Sequence, residues 1–130
     1  MFSKSATIGN QTELIFDVLV QSKGWYVGYP YNDTMIYDRI ISDDNGINWK
    51  TIQIKTARRQ SNGTSWGFSL QNNNGESYLD ACDGMAVNVN GMFFMFPSSF
   101  FNENRKSYTF CPNNAMDFLL GCVVITNELR

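Results

Sequence analysis

Tyr37-Asp38-Arg39-Ile40-Ile41, the turn Asp43-Asp44-Asn45-Gly46, and then Thr51-Ile52-Gln53-Ile54-Lys55-Thr56 read as two neighbouring β-strands. A strand alternates its side chains between two faces with period two. Gln53 and Lys55 therefore share one face, and Ile52 and Ile54 share the other. The apolar pair anchors the strand in a core. The polar pair is presented together in one place, close to Asp38 on the strand before.

Those three side chains form a chemical set. Asp38 can hold a divalent cation, Gln53 can add a neutral oxygen, and Lys55 can sit beside an attacking water or a scissile phosphate. Together they suit metal-assisted hydrolysis of a phosphodiester. The sequence contains no histidine. That excludes Ser-His-Asp and Cys-His hydrolysis as usually built, and any zinc site based on histidine. The three cysteines, Cys82, Cys111 and Cys122, are widely spaced with no CxxC pair, and read as reduced, buried small hydrophobes.

Outward from these strands, residues 9–23 read as a helix. Leu14, Ile15, Val18 and Leu19 recur at helical spacing, Asn10 or Thr12 is a candidate cap, and Gly24 ends it. Trp25–Gly28 reads as a short strand, 29–34 as a loop, 35–42 and 47–58 as the two central strands, and 65–70 as another. Gly84–Asn88 and Met92–Phe96 flank Asn90-Gly91, a second hairpin signal. A short helix is expected after Pro97, an edge strand at 106–110, a short helix at 113–120 and an apolar segment at 123–125. The outline is a mixed α/β (α+β) domain with one central sheet and an N-terminal helix packed on it.

At 130 residues the chain is expected to be a single domain, 1–130, with a core over about 8–97 and an oligomerisation or peripheral segment over 98–130. No apolar run is long enough for a membrane span, and the first residues lack the apolar core of a signal peptide, so no membrane contact and a cytoplasmic location are expected. The formal net charge is −2, which speaks against nucleic acid globally. Locally the balance reverses. Arg39, Lys50, Lys55, Arg58 and Arg59 face only Asp43 and Asp44 between residues 39 and 59, a local charge of +3.

At this point the chain resembles the PD-(D/E)xK nuclease superfamily. It is most similar to the small group I intron homing endonucleases of that fold, whose motif reads Q-x-K. The matching pieces are Gly9-Asn10-Gln11-Thr12-Glu13 opening the first helix, Tyr37-Asp38, Ile52-Gln53-Ile54-Lys55-Thr56, and Tyr78-Leu79-Asp80-Ala81-Cys82-Asp83 before an apolar strand. Two departures stand out. Tyr37 replaces the proline, and Gln53 removes one negative charge from the metal site.

The resemblance implies a restriction-endonuclease-like core and Mg²⁺-dependent hydrolysis of double-stranded DNA, with Mn²⁺ as a substitute. Glu13, Asp38, Gln53 and Lys55 are the implied catalytic residues, and Asp38, Glu13, Gln53 and the Ile54 carbonyl the implied metal ligands. Lys50, Arg58, Arg59, Asn72 and Asn73 are candidates for DNA contact. A site-specific double-strand cutter of the homing type, in a phage or bacterial host, is the leading expectation. It calls for a homodimer or tetramer, because one small chain spans few base pairs, and the Phe-rich stretch 93–101 is a candidate interface. The alternatives are a structure-specific nuclease acting on Holliday-type junctions, and a catalytically silent module binding DNA or protein. Each residue also has an ordinary role open to it: Asp38 in a turn, Gln53 and Lys55 on a solvated strand face, Glu13 as a first-turn acid.

Overall fold

The computed structural model describes residues 4–32, 35–72, 74–101, 105–111 and 123–125. Among the described residues, one α-helix and nine strands form three layers: helix, large sheet, small sheet. The helix α1 runs over Lys4–Ser22, five residues earlier than the sequence spacing indicated. Asn10 and Thr12 therefore lie inside it and do not cap it. The Thr12 hydroxyl instead meets the Thr56 hydroxyl at 2.7 Å, tying the helix to a strand. Gly24 ends α1 as expected. It adopts φ 78°, its N–H reaches the Gln21 carbonyl and the Trp25 N–H reaches that of Val20. This is the paired C-terminal closure that favours glycine in the left-handed region.

The helix buries a different face from the Leu14-Ile15-Val18-Leu19 stripe read from the sequence. Phe16, Leu19 and Val20 are buried against the sheet, whereas Leu14, Ile15 and Val18 are exposed. Apolar residues occupy six of the seven positions from 14 to 20, so periodicity alone fits two different stripes. Tertiary packing selects one.

The large sheet has the order β1-β2-β3-β6-β7-β9. Its strands are β1 (Tyr26–Gly28), β2 (Arg39–Ser42), β3 (Lys50–Thr56), β6 (Gly84–Val89), β7 (Met92–Pro97) and β9 (Val123–Ile125). The β3–β6 pair is parallel and the other pairs are antiparallel, so the sheet is mixed. A second sheet, absent from the sequence reading, has the order β4-β5-β8, from β4 (Arg58–Arg59), β5 (Trp66–Ser69) and β8 (Ser107–Phe110). The chain leaves β3 at Ala57 and enters this sheet at once. A 3-10 turn at Ser98–Phe100 follows Pro97 as foreseen. The helix expected at 113–120 lies outside the described residues.

The two central strands are shorter than the sequence suggested. Residues 35–38 form no strand, and 47–49 belong to the turn. The Asp44 carboxylate explains the second difference. It accepts hydrogen bonds from the Asn48 N–H at 2.9 Å, the Asn48 side chain at 2.7 Å and the Ser42 hydroxyl at 2.7 Å. These bonds hold its pKa down, at about 2, and extend the turn through Asn48.

Two cores result. Phe16, Leu19, Val20, Ile41, Ile52, Ile54, Ala86 and Phe93 pack between α1 and the large sheet. Phe68, Leu70, Tyr78, Met85, Val87, Phe94, Phe96 and Phe110, with their neighbours, pack between the sheets. Phe93, Phe94 and Phe96 are at most 1% exposed, so the Phe-rich stretch is core and not an outer interface. Each such side chain contributes about 1.5–3 kcal/mol of burial. Among the described residues no helix is long and apolar enough to cross a membrane.

Candidate active site

The β2–β3 ladder reaches Arg39 opposite Ile52 and stops. The next ladder position on β3 is Ile54, whose N–H would meet another strand carbonyl. It donates instead to the Asp38 carboxylate at 2.9 Å. N–H and C=O of one strand residue point to the same side, so the Ile54 carbonyl also faces the gap beyond β2. That gap opens a cavity of about 450 Å³, lined by Gly9, Thr12 and Glu13 from α1, by Asp38, and by Ile54, Lys55, Thr56, Ala57 and Arg58 along the β3 edge.

Three of the four residues implicated by the sequence thus meet. Glu13 enters from the helix side of the sheet, Asp38 from the end of β2, and Lys55 from the opposite face of β3. Lys55 is half-buried. Its Nζ donates to the Tyr78 hydroxyl at 3.0 Å and lies 4.4 Å from the centre of that ring. Gln53 shares the Lys55 face, as alternation required, but it is buried at 7% exposure and does not line the cavity. Its Oε1 is buried without a hydrogen-bond partner among the described residues. An amide oxygen in that condition is costly unless something satisfies it.

The carboxylates are electrostatically crowded. Burial pushes the Glu13 carboxyl above its ordinary pKa, and the nearby Asp38 charge pushes it further, with Arg39 acting in the opposite direction. Burial also raises Asp38, against the lowering influence of the Ile54 N–H, Lys55 and Arg39. Arg39, beside Asp38 in the chain, points to the helix face and is buried. Its Nε and Nη2 donate to the two Asp17 oxygens at 2.8 and 3.1 Å, and its Nη1 to Glu13 at 3.3 Å.

With this geometry in place, comparison with solved structures finds proteins of similar architecture, among them two nucleases. A bacterial homing endonuclease superposes with a TM-score of 0.68 at 17% identity, over 85% of this chain and 77% of the other. Hjc, a Holliday junction resolvase of Archaeoglobus fulgidus, superposes with a TM-score of 0.53 at 13% identity, over 81% and 84%. The chain shares its α+β fold with both. No family model matches it, and no curated protein matches it in sequence.

No group of three or more His, Cys, Asp or Glu side chains among the described residues is placed to hold a metal. What the gap offers is two carboxylates and, along the β3 edge, the Ile54 carbonyl. All are oxygens, the set that suits a hard cation such as Mg²⁺. Crowded, partly desolvated carboxylates also favour a cation between them. The residues fit.

The other sequence candidates fall in different places. Arg58 is exposed and lines the cavity. Arg59 folds onto its own turn, donating twice to the Gly63 carbonyl at 2.8 and 3.0 Å. The Asn72 side chain organises its loop, accepting from the Asn74 and Glu76 N–H groups and donating to Glu76. Asn73 lies outside the described residues. Lys50 stands at the far end of β3, roughly 16 Å from Lys55 at strand rise, in a separate cavity of about 790 Å³ with Asp43, Asp44 and Asp83. Cys82 is buried as expected, with its thiol pushed up to about 12 by burial. Sequence reasoning missed Asp17, Arg39 and Tyr78. Glu13 and Asp17, one helical turn apart, were a usable sign for Arg39. Tyr78 opens the matched segment Tyr78–Asp83, but nothing in the sequence pairs it with Lys55, because only folding brings the two together.

Proposed function

We propose that the protein is a metal-dependent endonuclease hydrolysing DNA phosphodiesters, built on the PD-(D/E)xK plan with glutamine in the central position. The observation behind this reading is the convergence of Glu13, Asp38 and Lys55 on one cavity at the end of β2. Glu13, Asp38 and the Ile54 carbonyl would hold Mg²⁺, with Mn²⁺ as a substitute, while Gln53 stays buried outside the cavity. Bound there, the cation would polarise a phosphoryl oxygen and lower the pKa of water. Lys55 supplies a positive charge to the phosphate as negative charge builds on it, and orients the attacking water. Arg58, exposed at the rim, contacts a flanking phosphate.

The finer reading is a site-specific double-strand cutter of the homing type, working as a homodimer or tetramer. The short span of one chain supports assembly, as do the exposed apolar residues Leu14, Ile15 and Val18 on α1. The test is incubation with intact duplex carrying the sequence around its own locus, and with a four-way junction, each with Mg²⁺ or with chelator. Cleavage of the duplex with Mg²⁺ alone is expected. Cleavage confined to the junction would replace the homing reading with a resolvase. No cleavage of either would overturn the nuclease reading.

A further inference from the structure

We infer that Arg39 and Asp17 form a clamp that sets the Glu13 carboxylate against Asp38, which makes them positioning residues for the cation site; the inference rests on the nuclease reading above. Glu13 and Asp17 lie four residues apart on α1 and so face the same way. Asp38 and Arg39 are adjacent at the start of β2 and so face opposite sides of the sheet. The guanidinium joins the two elements. It grips Asp17 with two parallel bonds at 2.8 and 3.1 Å, reaches Glu13 Oε1 at 3.3 Å, and donates to the Asp38 carbonyl at 2.8 Å. The Tyr29 ring covers it at 4.3 Å, and the Tyr29 hydroxyl donates to Asp17 at 3.0 Å. The distance between the two cavity carboxylates is thereby fixed through one rigid, planar group.

Two further observations support a positioning role. Asp17 is buried and does not line the cavity, so it acts through Arg39. A buried ion pair is also a poor source of stability compared with apolar residues of equal volume. Next to Phe16 and Val20 such residues would fit the surroundings. The clamp holds only Oε1 of Glu13, which leaves the second oxygen for a cation.

Asp17→Asn keeps the shape and removes the charge, and Arg39→Lys keeps the charge and removes the planar fork. Both are to be checked for folding by circular dichroism. Mn²⁺ affinity is then measured by calorimetry on the DNA-free protein, with single-turnover cleavage beside it. Loss of an outer partner of a metal ligand typically costs about 10–100-fold in metal affinity. A loss of that size is expected in both variants, with DNA affinity unchanged. Folded variants that bind Mn²⁺ like wild type, with only a lower melting temperature, would overturn the clamp and leave the nuclease reading intact. If wild type itself neither binds Mn²⁺ nor cuts DNA, the nuclease reading fails. The clamp is then judged from a crystal structure of metal-free Asp17→Asn: a displaced Glu13 carboxylate supports it, and an unmoved one overturns it.

Discussion

Lys55 depends on a phenol. Tyr78 is buried in the core between the sheets, and its hydroxyl is the hydrogen-bond partner of Nζ. Tyr78→Phe keeps the ring and its packing and removes that bond. Misplacing a group at a reacting centre by about 1 Å can cost on the order of a hundredfold. Single-turnover cleavage by Tyr78→Phe should fall ten- to a hundredfold on that basis, with KM for DNA unchanged. A wild-type rate would show that Lys55 is aimed by something else. The carboxylates carry a pH signature. Burial raises Glu13 and Asp38 in the folded protein. A raised carboxyl contributes stability that is complete below its unfolded pKa, about 4, and lost as the pH climbs through the folded value. Metal-free wild type should therefore lose stability from about pH 4 toward neutrality, while Asp38→Asn shows a flatter profile. Mg²⁺ should restore stability near neutrality, by about 2.7 kcal/mol at a hundred times its dissociation constant, and much less at pH about 4. Thermal unfolding with and without Mg²⁺ checks both slopes, and a Mg²⁺ effect equal at the two ends would count against carboxylate ligands.

At the scale of the element, α1 positions the site by its buried face. Phe16 is fully buried and meets Phe93 edge to face, with ring centres 5.5 Å apart. Phe16→Ala should cost about 3–5 kcal/mol and loosen the helix that carries Glu13. Leu14→Ala, on the exposed face, should stay within about 0.5 kcal/mol. Urea denaturation of both separates the two faces, and equal losses would mean the helix is docked the other way round. The sequence could not make that choice, since apolar side chains surround the helix between 14 and 20. It did show β3 clearly, because Thr51-Ile52-Gln53-Ile54-Lys55 alternates and the structure follows that alternation. It could not show that Asp44 would lengthen the turn, or that Gln53 would be covered. The first rests on side-chain hydrogen bonds, the second on what the small sheet packs against.

At the scale of the molecule, the three layers explain why the site lies where it does. The large sheet carries α1 on one face and the small sheet on the other, and a cavity opens where β2 runs out. Glu13 and Lys55, on opposite faces, meet through that opening. Asp38, Gln53 and Lys55 were legible because they lie on or directly beside two neighbouring strands. The second sheet was illegible, since β4, β5 and β8 are short, separated in the chain, and paired over long range. Leu14, Ile15 and Val18 remain exposed outside the layers, at 62%, 42% and 63%, an apolar surface of the kind that associates. Light scattering at micromolar concentration should find a dimer or tetramer in wild type and a monomer in Val18→Glu. A wild-type monomer would contradict assembly through α1.

Everything about the chemistry converges on two side chains, so the sharpest experiment removes each alone. Purified wild type, Asp38→Ala and Lys55→Ala are compared for Mg²⁺-dependent DNA cleavage, with folding followed by circular dichroism and DNA binding by gel shift. Wild type should cut, and both variants should fold and bind DNA while losing cleavage by several powers of ten. Wild-type cleavage by either variant would mean that the chemistry happens elsewhere.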